Sequence, residues 1–199
     1  MTFRIIILSM LIVAFMAVSA EAGWLIYHEP EFNGKMLDIE TKQPIEGAVV
    51  VVEYNKKTMG IGASMSSVMD ARETLTDKDG NFHFPSYTTL IQPFSWQIPT
   101  SFIIFKPGYA SLELGSGYFT VEVTKEQSGS WPGPEFKGLK YVLRGPGIVA
   151  LPKLNMREQR LNTIKYPYGD VRSKDTPLLY KAINEERRRF GLQPEGGMD

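Results

Sequence analysis

Residues 74–84, TLTDKDGNFHF, place Asp77, Asp79 and Asn81 at alternate positions, the spacing of oxygen ligands in a calcium loop. The stretch can be read as a cation site or as a turn between two strands. A calcium loop beginning at Asp77 requires glycine at its sixth position and glutamate at its twelfth. Those places hold Phe82 and Thr88, so the ligand set fails. A turn explains the same residues. Asp77 can cap it with its carboxylate, and Gly80 supplies the positive φ needed by a type I turn with a following bulge. Beyond the turn, Phe82 and Phe84 alternate with His83, which places the imidazole on the solvent side of a short strand.

Outward from this turn the punctuation is that of a β protein, with short apolar or alternating runs cut by turn signals. NGKMLDIE (33–40) leads through a Pro-containing turn into AVVVVEY (48–54), which reads as a hairpin or strand pair. Residues 55–70, rich in Gly, Ser and Met and without a steady period, read as a long mobile loop. ARETLTD (71–77), NFHFP (81–85), TSFIIFKPGY (100–109), ASLEL (110–114), YFTVEVT (118–124) and LKYVLR (139–144) supply further strand candidates, enough for a sandwich. The runs 48–52 and 102–105 are unbroken apolar and not alternating, which is expected only where both faces of a strand are buried.

The character changes near Gly145. Leu154, Leu161 and Ile164 fall at helical spacing, and residues 177–190 form a stronger helix with Thr176 as N-cap and Pro177 at the first helical position. Leu179, Ile183 and Phe190 mark its apolar face, Arg187, Arg188 and Arg189 suit the C-terminal end of the dipole, and Gly191 follows as a cap. The expectation is that this helix folds back to cover the doubly apolar strands.

Three pieces in order, residues 34–52, 74–85 and 102–109, resemble the carboxypeptidase regulatory-like domain, a transthyretin-like sandwich of exported bacterial proteins. The matching positions are Pro44, Ile45, Gly47 and Ala48, then Thr76, Asp77, Gly80 and Phe82, then Gly108 and Tyr109. The resemblance covers roughly residues 32–123 and implies a fold, not a reaction. Two enzyme families share a sandwich of this general kind. Intradiol ring-cleaving dioxygenases bind iron with two tyrosines and two closely spaced histidines, whereas His28 and His83 here are far apart in sequence. Hydroxyisourate hydrolases end in Tyr-Arg-Gly-Ser, and this chain ends Gly-Gly-Met-Asp.

The first 22 residues carry one cation at Arg4, an apolar run from Ile5 to Val18 and small residues at Ala20 and Ala22, the form of a secretory signal peptide cleaved after Ala22 or Ala20. A helix of about 14 residues spans about 21 Å, short of the roughly 30 Å hydrocarbon core, so no transmembrane anchor is expected in the mature chain. The predicted location is periplasmic or secreted. Because the chain contains no cysteine, it has neither a disulfide staple nor a lipid attachment site. With 22 basic and 22 acidic residues among 199, it offers no electrostatic footprint for nucleic acid. The organisation expected is a signal peptide at 1–22, a mainly β, transthyretin-like or immunoglobulin-like antiparallel sandwich at 23–146, and a helical C-terminal extension at 147–199.

Catalytic signatures are missing. His28 and His83 lack zinc-site spacing, thiol nucleophiles are excluded, and no Gly-x-Ser-x-Gly elbow occurs. No catalytic residue, metal or cofactor is assigned. The binding candidates are loop aromatics, Tyr87, Phe94 and Trp96 in residues 85–99 and Trp131 in GSWPGPEF. Met59, Met65 and Met69 could add adaptable contact surface or merely pack. The expectation is a non-catalytic exported binding or structural module of the cell envelope or extracellular space, with a protein or carbohydrate partner. The alternatives are a carbohydrate-binding module using the loop aromatics, or a hydrolytic enzyme on a transthyretin-like scaffold.

Overall fold

The structure, a computed structural model, describes residues 25–115, 142–143, 147–169 and 171–196. The strands are β1 (Ile26–Glu29), β2 (Phe32–Asp38), β3 (Val49–Met59), β4 (Ser64–Leu75), β5 (Asn81–Phe84), β6 (Tyr87–Leu90), β7 (Ser95–Gln97), β8 (Ser101–Phe105), β9 (Leu112–Gly115), β10 (Val142–Leu143) and β11 (Ile148–Leu151). Two helices follow, α1 (Arg157–Asn162) and α2 (Pro177–Arg189). Residues 1–22, expected to be a signal peptide, together with Trp131 and the strand candidate at 118–124, lie outside the described residues, as does most of the candidate at 139–144.

The architecture is a mainly β sandwich with a helical C-terminal extension. One sheet has the order β10-β11-β2-β5 and the other β4-β3-β8-β9, with β7 pairing the outer part of β3; β1 and β6 form a separate ribbon. Pairing is antiparallel except between β11 and β2. Phe32, Met36, Phe82 and Phe84 from the first sheet meet Val50, Val52, Tyr54, Phe102 and Ile104 from the second in the main core, with the rings of Phe32 and Phe102 edge to face at 5.0 Å.

The turn at residues 77–81 forms as its residues dictate. Gly80 N donates to the Asp77 carbonyl at 2.9 Å, with φ +78° at Gly80, and the Asp77 Oδ1 accepts from Asp79 N at 2.9 Å and Asn81 N at 2.8 Å. The Asn81 N–H leads in holding the Asp77 carboxyl below the usual carboxylate range. This turn carries the chain from one sheet to the other, because β4 and β5 belong to different sheets.

Several expectations are corrected. Residues 33–40 and 48–54 form no hairpin: β2 and β3 lie in opposite sheets, since the chain doubles back at Asp38, whose carboxylate accepts from Glu40 N and Thr41 N, and then swings across at Gly47. Residues 55–70 are no loop but the outer half of the β3–β4 pair, turned at residues 60–63 where Gly60 N bonds the Ala63 carbonyl. Solvent reaches both faces of this arm, so selection for a dry side leaves no period-two trace. Residues 85–99 contain β6 and β7 and are not a single loop. The extension expected from residue 147 opens with β11, a strand of the first sheet, because Ile148–Leu151 aligns in register with Lys35–Asp38.

The doubly apolar strands are covered as expected. Val49, Val51, Ile103 and Phe105 point away from the main core and pack with Ile164, Leu179, Ala182 and Ile183 in a second one. Phe190 is not part of it. It caps the C-terminal end of α2 and lies half-buried under the Arg160 guanidinium at 5.0 Å. Thr176 is the N-cap by position, but its hydroxyl makes no cap bond and is buried without a partner among the described residues. Glu73 of β4 does that work, its carboxylate accepting from Leu178 N at 2.6 Å and Leu179 N at 3.0 Å. Glu186 on α2 accepts two bonds from Arg160, at 2.5 and 2.6 Å, and one from Gly108 N at 3.3 Å. Glu53 on β3 receives Tyr168 N at 2.8 Å. Three carboxylates, the buried Glu53 and Glu186 and the half-buried Glu73, thus stitch the C-terminal segment to the sandwich.

Candidate functional site

The expected aromatic residues separate into two environments. Tyr87 is structural: its ring stacks on Tyr54 at 4.2 Å, meets Tyr27 edge to face at 5.8 Å, and lies beneath the Arg72 guanidinium at 4.6 Å. Phe94 and Trp96 are turned outward, 71% and 42% exposed.

Phe94 owes its position to a strained turn. Ser95 N donates to the Gln92 carbonyl at 3.1 Å, Pro93 occupies the second place, and Phe94 at the third has φ +61°. That is the arrangement of a type II turn, in which the third place normally belongs to glycine. A phenylalanine there costs roughly 1–2 kcal/mol. The carbonyl of Phe94 accepts Met59 N at 2.8 Å, which fastens the turn to the arm. Trp96 follows on β7, opposite Lys57 of β3. It therefore shares a face with Met59, two residues further along. Met65 stands opposite Thr58 and so belongs to the other face. Ile61 occupies the tip.

These five side chains, Met59, Ile61, Met65, Phe94 and Trp96, are all exposed, the first three on the outer part of the β3–β4 pair and the last two on β7 and the turn before it, which pairs with that part of β3. The methionines at 59 and 65 join the aromatics there, whereas Met69 packs against the main core. Ile61 carried no signal in the sequence, since a lone isoleucine between two glycines has no periodic neighbour. Trp131 lies outside the described residues.

The polar groups do not assemble into a reaction centre among the described residues. His28 Nδ1 pairs with Thr88 Oγ1 at 2.8 Å across the exposed β1–β6 ribbon, and His83 Nδ1 pairs with Asn33 Oδ1 at 2.8 Å on the polar outer face of the first sheet. Asn33 borders an open surface cavity of about 400 Å³ with Gly34, Lys35, Asn81 and Gly147, whose lining includes neither imidazole, and no acidic or histidine cluster of metal-binding size occurs among the described residues. Glu29 is buried, accepting from Thr100 Oγ1 at 2.6 Å and Gln97 Nε2 at 2.8 Å. Thr100 is itself fully buried, so no substrate reaches that hydroxyl. Glu53 is also buried, and desolvation raises its pKa against the opposing bonds from Tyr168 N and Ser101 Oγ. Both carboxylates are spent on structure.

No protein-family model matches the chain, and no curated protein does. Among solved structures, the crystal structure of 3-chlorocatechol 1,2-dioxygenase from Rhodococcus opacus 1CP aligns with a TM-score of 0.33 and 16% identity over 65% of this chain. The chain spans 61% of that enzyme's length, and a likeness this slight carries neither fold nor activity across. No helix among the described residues is long and apolar enough to cross a membrane.

Proposed function

We propose that this chain is a non-catalytic exported module that docks another protein through the apolar tip of its β3–β4 arm. The observation that carries this reading is the placement of Met59, Ile61, Met65, Phe94 and Trp96 in solvent on the outer part of the β3–β4 pair and the β7 segment paired with it, with Phe94 held there by a strained backbone. Backbone strain at an exposed ring makes no contribution to folding and points to a contact made elsewhere. Methionine side chains adapt to an irregular protein surface. A sugar site needs flat rings flanked by hydrogen-bonding groups, so the carbohydrate alternative has less support. Export rests on the signal-peptide pattern of residues 1–22, and the resemblance to carboxypeptidase regulatory-like domains is in keeping with a binding role.

The test is site-specific photo-crosslinking in the host, with the reactive residue at Ile61, at Phe94 or, as a control, at Lys78 in the exposed turn. A protein adduct at both arm positions and none at Lys78 is the expected result. Absence of adducts at the arm, or equal labelling at Lys78, would overturn the reading.

A further inference from the structure

The flank of the arm differs from its tip. β4 is the outermost strand of its sheet, and among the described residues the backbone groups of residues 64–72 have no partner except β3. A strand edge left in this state is a template for another strand, and proteins ordinarily blunt it with lysine, proline or an inward charge. None of these occurs in Ser64, Met65, Ser66, Ser67 or Val68. Charge begins only at Asp70, which is paired with Arg72 at 3.0 Å. From Val68 to Ala71 the strand borders a cleft of about 350 Å³ shared with Val171 and Asp175, so the C-terminal segment flanks the inner half and leaves residues 64–67 open. The register step between Tyr54 and Asn55 places one extra residue, Met69, in β4; such a bulge twists a strand and ends regular pairing. The uncharged run from Ser64 to Val68 is thus open along its first four residues, with Val68 at the rim of the cleft.

We propose that this run is a self-association site, at which two copies of the chain pair antiparallel about a twofold axis at Ser66. The occupant follows from the sequence of the edge. With the axis at Ser66, Ser64 meets Val68 of the second copy, Met65 meets Ser67, and Ser66 meets its equivalent, so each larger side chain faces a smaller one and no charges oppose. Twofold pairing also seals both edges in one step and leaves none to propagate, which makes it a closed dimer and not a fibre. A foreign strand would satisfy one copy only. This inference is separable from the docking reading, because Met65 alone is common to both and Ile61, Phe94 and Trp96 of the apolar tip lie outside the paired run.

The absence of cysteine makes the test clean. The full chain, expressed with its own leader, is studied by sedimentation equilibrium as wild type, Ser66→Lys and Ser66→Cys. A concentration-dependent dimer is expected for the wild type, at least a tenfold weaker one for Ser66→Lys through like charges at the axis, and a disulfide-linked dimer for Ser66→Cys under mild oxidation. Melting temperature at high dilution is expected to be unchanged by Ser66→Lys, since Ser66 is exposed. A wild type that stays monomeric throughout, or a dimer that tolerates Ser66→Lys and gives no Ser66→Cys disulfide, would overturn the proposal. If the dimer is absent while photo-crosslinks at Ile61 and Phe94 persist, self-pairing fails and docking stands; the reverse pattern separates them the other way.

Discussion

Replacing Leu179 and Ile183 with alanine asks whether α2 is a layer of the fold or an arm resting on it. Both side chains are fully buried, in a cluster with Val49, Val51, Ile103 and Phe105 of the second sheet. A buried leucine or isoleucine cut to alanine costs about 2–5 kcal/mol, from lost transfer energy plus the cavity left behind. The two sites share one cluster, so their effects do not add fully, and a combined loss of about 4–7 kcal/mol is expected. Domains of this size are stable by roughly 5–15 kcal/mol; the double variant therefore loses a large share of that margin, and all of it if the parent lies at the lower end. The control is Lys181→Ala on the exposed side of the same helix, expected to stay within about 0.5 kcal/mol of the parent. Urea denaturation followed by far-UV circular dichroism gives the free energies, and a hydrophobic dye reports whether the β3–β8 face is bared. A double variant that unfolds within about 1 kcal/mol of the parent and binds no dye would show that the sandwich stands without α2, and the layered reading would be wrong.

Gly80→Ala and Gly62→Ala separate strain from collision: both glycines have positive φ, but a Cβ at Gly80 would lie 2.5 Å from the Met36 carbonyl oxygen while one at Gly62 meets nothing within 4 Å. Thermal denaturation is expected to show a loss of about 1 kcal/mol at Gly62 and clearly more at Gly80; equal losses would remove the contact from the explanation. Burial raises the Glu53 pKa, so its contribution to stability is present below 4.5, the ordinary value, and is lost as pH rises through the raised one. Glu53→Gln keeps an acceptor for Tyr168 N and is expected to become more stable relative to the parent as pH climbs out of that range, whereas a pH-independent difference would contradict it. Phe94→Gly relieves the positive φ and is expected to raise stability by about 1 kcal/mol while weakening the photo-crosslink at Ile61; a fall in stability would mean that the exposed ring supports the fold.

How much of this was legible depended on the range over which each feature is decided. The turn at Asp77 and Gly80 was readable because its donors, its acceptor and its positive φ all lie within five consecutive residues. The unbroken runs at 48–52 and 102–105 announced two covered faces, and the stripe of Leu179 and Ile183 announced a cover, since burial on both sides of a strand and on one side of a helix each leaves its own period. The Phe94 and Trp96 rings were recognisable as candidates by type, but Tyr87, in the same stretch, could not be told from them. Its ring is partly buried by Tyr54 and Arg72, which come from other strands.

Chain order does not record which strands become neighbours. Adjacent runs such as 33–40 and 48–54 look like a hairpin until the turn between them sends the second into the other sheet, and the parallel pairing of β11 with β2 joins residues more than a hundred positions apart. The same holds for the cap of α2. A threonine directly before a proline is the local choice, yet the N–H groups of Leu178 and Leu179 take a carboxylate from Glu73, which packing of α2 against β4 brings within 3.0 Å. The β3–β4 arm was hidden for the opposite reason: with both faces in water no periodicity was imposed on residues 55–68, and only the backbone pairing of the two strands makes it a projecting element. Local hydrogen bonding and one-sided burial write themselves into the sequence; pairing between distant segments is fixed by the backbone and the packed core, and that is where the edge, the tip and the caps were decided.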